Sequence, residues 1–159
     1  MTTLDRRSFL KSSLAGSALA LSVAAGLLSP RRVLAAMTWP AAAFDATSAT
    51  VALKALYGRT DIPMSPKVHI RAPIQAENGA VVPIQVSADL PDVESIGILV
   101  DKNPTPLVTH VHFANGARGF FMARMKMGKT SPVRVIVKAG GRLYQASQSI
   151  KVTVGGCGG

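Results

Sequence analysis

A chain of 159 residues with 48% hydrophobic and 16% charged side chains has the composition of a globular protein, and its single cysteine excludes an internal disulfide framework. The formal net charge of +10 comes from 18 Lys+Arg against 8 Asp+Glu, yet aromatic residues make up only 5%, which argues against nucleic acid as a partner. Removal of the first 35 residues leaves 13 Lys+Arg against 7 Asp+Glu, a net +6 on 124 residues: enough for one domain with one core, too few for two.

The N-terminus reads Asp5-Arg6-Arg7-Ser8-Phe9-Leu10-Lys11, followed by an uncharged stretch from Leu14 to Leu28. Arg6, Arg7, Phe9, Leu10 and Lys11 resemble the bacterial twin-arginine export signal, with Asp5 where Ser or Thr is more usual. The apolar stretch is 15 residues long, short of the ~18–20 that span a bilayer, so a cleaved signal peptide is expected and a membrane anchor is not. Small residues place cleavage after Ala35 or Ala36, and no cysteine stands there to make a lipoprotein. Residues 1–35 are therefore an export signal, and the expected location is the periplasm.

Residues 36–60 form an N-terminal helical segment. Apolar residues at Phe44, Val51, Ala52, Ala55 and Leu56 predict one amphipathic helix from Phe44 to Tyr57, with Asp45 or Thr47 as its start signal and Gly58 as its stop. From residue 61 to 154 the texture changes to short β-branched runs separated by Pro, Gly, Asn and Asp. Seven strands are expected, at about 67–74, 81–89, 94–101, 106–114, 119–127, 132–139 and 142–154. Val82, Ile84, Val86 and Ala88 alternate with polar neighbours, as do Tyr144, Ala146, Ile150, Val152 and Val154. Asn78-Gly79 and Gly140-Gly141 read as two-residue hairpin turns. The fold expected is mainly β: an immunoglobulin-like antiparallel sandwich without a disulfide.

The chain closes on Gly155-Gly156-Cys157-Gly158-Gly159. Glycines on both sides leave the thiol sterically bare, and three residues beyond Val154 give Cys157 a reach of about 10 Å, so residues 155–159 read as a flexible arm. An exposed thiol in an oxidising compartment is capped or cross-linked unless it has a use. Cys157-linked dimers, or an exported thiol-redox or disulfide-tethering role, are readings open to such a thiol; a protein of that kind lacks the second cysteine of the usual dithiol motifs. No Ser-His-Asp grouping, phosphate loop or paired carboxylates stand out in the body, so it reads as a platform with no catalytic residue. His110 and His112 share a strand face and His69 also faces outward, but a metal centre wants a further ligand, and none is assigned. Met122, Met125 and Met127 read as core and interface filler. The surplus of cations after Asp101 suits small anions or an acidic partner, although a solvated sheet face is the plainer reading.

Across Ala76–Pro83, Lys102–Leu107, Met127–Ser131, Val137–Tyr144 and the closing Gly155–Gly159, together with the export signal, the chain resembles the SoxY family of sulfur carriers in bacterial thiosulfate oxidation. The resemblance implies that Cys157 is the covalent attachment point for sulfur intermediates, that the protein is not itself an enzyme, and that it needs no cofactor. It implies a heterodimer with SoxZ. It further implies transient contacts with SoxAX, which joins thiosulfate to the cysteine, with SoxB, which hydrolyses off sulfate, and with the sulfane dehydrogenase SoxCD where present.

Overall fold

A computed structural model describes residues 39–114 and 116–153 of the chain. Two short helices come first. Helix α1 (Ala41–Phe44) is a single turn, and Phe44 stacks on Trp39 with ring centroids 4.4 Å apart. Helix α2 (Ala49–Tyr57) begins at Ser48, whose extended backbone lets its hydroxyl accept the Val51 N–H, and ends at Gly58 with φ 72°. The single helix expected from Phe44 is thus two. Asp45 serves as the C-terminal cap of α1, its N–H donating to the Ala41 carbonyl, so neither Asp45 nor Thr47 starts α2.

Strands β1 (Val68–Arg71), β2 (Gln75–Ala76), β3 (Val82–Ala88), β4 (Val93–Val100), β5 (Leu107–His112), β6 (Phe120–Met125), β7 (Ser131–Ala139) and β8 (Arg142–Val152) follow. They form a three-stranded sheet, β1-β3-β6, and a five-stranded sheet, β2-β8-β7-β4-β5. Every pairing is antiparallel except β2 with β8. The seven expected strands are all present within a few residues, and β2 is the addition.

Alternation builds the core. On β3, Val82, Ile84 and Val86 are buried while Pro83 is exposed, and they pack with Val133, Val135 and Val137 of β7 and with Ile96, Ile98 and Val100 of β4. Burial of each such side chain contributes about 1.5–3 kcal/mol. Strand β4 is apolar almost throughout because its other face is covered too. There Leu99, with Ile136 and Leu107 beside it, packs under Ala52 and Leu53 of α2, so the helical segment and the sandwich share a buried layer. Gly140 and Gly141 join β7 to β8 with φ 54° and 72°, the two positive values a type I′ hairpin requires.

Asn78-Gly79 is not a hairpin turn. The strand before it pairs with β8 in one sheet and the strand after it with β1 and β6 in the other, so the chain crosses between layers there. Asn78 Oδ1 still accepts the Ala80 N–H at 2.8 Å, an Asx turn that redirects the backbone.

Candidate functional site

The expected site residues, Cys157 with Gly155, Gly156, Gly158 and Gly159, and the export-signal residues Arg6, Arg7, Phe9, Leu10 and Lys11, lie outside the described residues. What the structure does describe is the base from which the C-terminal segment departs. Strand β8 is pinned at its very end by β2, with Gln75 opposite Lys151 and Ala76 opposite Val152. The Lys151 N–H donates to the Ile74 carbonyl at 2.9 Å, and the Thr153 N–H to the Ala76 carbonyl at 3.0 Å. From the other side, Thr130 Oγ1 accepts the Val152 N–H at 3.0 Å. The departure point is therefore fixed up to Thr153, and the four residues from there to Cys157 span at most about 14 Å.

Three of the sequence stretches that carry the family resemblance meet at this base. Gly79 approaches so closely that a Cβ there would fall on the Met127 carbonyl oxygen and within 2.9 Å of Val152 Cγ1. The Met127 N–H donates to the Gly79 carbonyl at 2.7 Å. Asn103 clamps the next turn, its Nδ2 donating to the Lys126 carbonyl at 2.7 Å and its Oδ1 accepting the Gly128 N–H at 3.1 Å. The buried Ser131 hydroxyl accepts the Lys102 N–H at 3.0 Å. Segments 76–83, 102–107 and 127–131 thus form a hydrogen-bonded collar around the end of β8. The fourth stretch, 137–144, lies at the opposite end of the sandwich, in the β7–β8 hairpin.

The histidines do not converge. His69 pairs with Asp89 at 2.9 Å beside the β1–β3 ladder, whereas His110 and His112 meet edge to face on β5 with centroids 4.3 Å apart. Among the described residues no three His, Cys, Asp or Glu side chains gather as a metal site. Met125 and Met127 are buried in the core, and Met122 is exposed on the outer face of β6.

His110 packs edge-on against Tyr57 of α2. Burial, and secondly the neighbouring His112, hold its pKa down at about 4. His112 is lowered by burial and then by Lys138, which is itself held at 2.6 Å by Glu94. An unfolded histidine titrates near 6.5, so the unfolded chain takes up a proton that the folded one refuses. Stability is then complete above pH 6.5 and drains away as the pH falls toward 4. The urea midpoint of the wild type should fall across that window, and His110→Gln should reduce the slope. An equal slope in the variant would remove His110 as its source.

The fold is a mainly β, immunoglobulin-like sandwich whose last strand is anchored at its tip. A family model described as sulfur oxidation protein SoxY matches residues 53–157. The chain belongs to the SoxY family, and with it to the sulfur carriers of sulfur oxidation. Among solved structures it is similar to the sulfur carrier protein SoxY from Chlorobium limicola f thiosulfatophilum, with 36% identity and a TM-score of 0.61 over 69% of this chain and 96% of that one. A superoxide reductase (neelaredoxin) from Ignicoccus hospitalis aligns at 20% identity and a TM-score of 0.48, over 55% of this chain and 80% of that one, which is too distant to bear on function. No curated protein matches the chain.

Proposed function

We propose that the protein carries the intermediates of thiosulfate oxidation covalently on Cys157, in the periplasm, as a complex with SoxZ. The observation that carries this reading is that the family match runs as far as residue 157, the one cysteine in the chain, with two glycines on either side. SoxAX joins the thiol to thiosulfate: the S–H proton is lost, an S–S bond forms and two electrons pass to the haem protein. SoxB then adds water across the terminal sulfur–sulfur bond, releasing sulfate and leaving a persulfide on Cys157. SoxCD, where present, oxidises that remaining sulfur. The N-terminal twin-arginine segment exports the folded chain, and SoxZ leaves the cytoplasm with it.

Bare glycines suit an arm that must enter more than one enzyme pocket, because a side chain beside the thiol would widen what each pocket has to admit. In a reconstituted mixture of SoxAX, SoxB and SoxZ, sulfate release from thiosulfate should require this chain. Gly156→Val should lower that release by about ten- to a hundredfold, the scale expected when reacting atoms are misplaced by ~1 Å, with no change in melting temperature. Release that proceeds equally well without the chain would refute the carrier role.

A further inference from the structure

The basic surplus noted in the sequence is not spread evenly over the sandwich. Lys102, Lys126, Lys129 and Lys151 are all exposed and all sit on the segments bonded around Val152 and Thr153. None of the four takes part in a salt bridge among the described residues. The acids on the same segments are Glu77 and Asp101, and Asp101 is occupied by Arg134 at 2.8 Å. The far end differs: Asp89, Asp92 and Glu94 stand there with Lys67, Arg118, Lys138 and Arg142, and Glu94 pairs with Lys138. Among the described residues, four lysines stand against Glu77 at the end from which the arm departs, whereas cations and acids are nearly balanced at the far end.

We propose that these four lysines form a docking collar for the acidic rim of an enzyme pocket that receives Cys157. The proposal rests on the carrier reading and adds the chemistry of the partner surface. A carrier must meet each enzyme quickly and let go after one step. Charges on the rim of an interface raise the association rate more than they prolong the complex, whereas an apolar contact of equal strength would slow release. Lysine suits this, since its flexible stem and point charge demand no single geometry of the partner. The hydrogen bonds of Asn103, Thr130 and Ser131 meanwhile hold the backbone that bears the lysines, so the field has a fixed origin beside the arm.

The test uses SoxB as the partner and the sulfur-loaded chain as its substrate. Lys126→Glu/Lys129→Glu alters two exposed side chains of which only the main chain is engaged in the collar, so the fold is kept. At ~10 mM salt, where the Debye length is about 30 Å, the double variant should raise KM about tenfold or more with kcat unchanged. At ~150 mM, where it is about 8 Å, the gap should narrow to about twofold. Reversal of two charges at the far end, Arg118→Glu/Arg142→Glu, should leave KM within about twofold of the parent at both salts. An unchanged KM for the lysine variant, or an equal loss for the arginine variant, would overturn the collar. Failure of the carrier reading would be seen separately, as a Cys157→Ser chain that supports thiosulfate turnover as well as the parent.

Discussion

Cys157→Ser is expected to bring thiosulfate-dependent sulfate release down to the level seen without the protein. The substitution exchanges one small side chain for another of nearly the same shape. What it removes is the chemistry. A thiolate is nucleophilic near neutral pH and forms sulfur–sulfur bonds that later enzymes can cleave, while an alkyl hydroxyl does neither. The melting temperature should therefore stay where it is while turnover disappears. A strain whose only copy carries serine at 157 should lose growth on thiosulfate. Growth at the parental rate would mean that the sulfur is held elsewhere.

Gly79→Ala should be the most damaging small substitution in the collar. Its Cβ would lie on the Met127 carbonyl oxygen, a backbone atom that cannot swing aside, and against the Val152 side chain. Forcing one methyl group into such a contact costs about 1–3 kcal/mol, or several degrees in melting temperature for a domain of this size. Gly128→Ala is the natural comparison, because the nearest atom to its Cβ is Asn103 Oδ1 at 4.0 Å. It should stay within about 0.5 kcal/mol of the parent. Equal melting of the two variants in a thermal scan would show that Gly79 is not held against Met127. Since Val152 is one of the contacts, Gly79→Ala should also lower turnover by shifting the base of the arm.

The larger part of the sandwich was legible because alternation is a direct record of which face is buried. Val82, Ile84 and Val86 announce β3 without any knowledge of their partners, and Gly140-Gly141 announces its hairpin because the turn needs two positive φ values. Strand β2 was not legible, since two residues carry no period, and its existence depends on β8 arriving beside it. The same tertiary fact misleads at Asn78-Gly79. The dipeptide is a strong hairpin signal, but here it crosses between sheets, and its glycine is required by the approach of Met127. In α2, apolar side chains on more than one face leave the buried side undecided. Val51 is 53% exposed, and the core contacts come from Ala49, Ala52 and Leu53.

The site shows the same division. Cys157 and its glycines stand out in the sequence because chemistry and steric freedom are local properties. The collar could not be read there, since Gly79, Asn103, Met127 and Thr130 are separated along the chain and are brought together only by strand order. The basic surplus was equally ambiguous. Residues 102, 126, 129 and 151 share one end of the molecule because four different strands begin or finish there. A charge count along the sequence does not contain that information.

The mass of the intact protein, recorded before and after incubation with thiosulfate and SoxAX, bears most directly on whether sulfur rides on this chain. Added sulfur and sulfonate are expected on the C-terminal peptide, released by reductant and absent from Cys157→Ser. A protein that gains only disulfide-linked dimers or glutathione on Cys157, with no sulfur or sulfonate adduct, would contradict it.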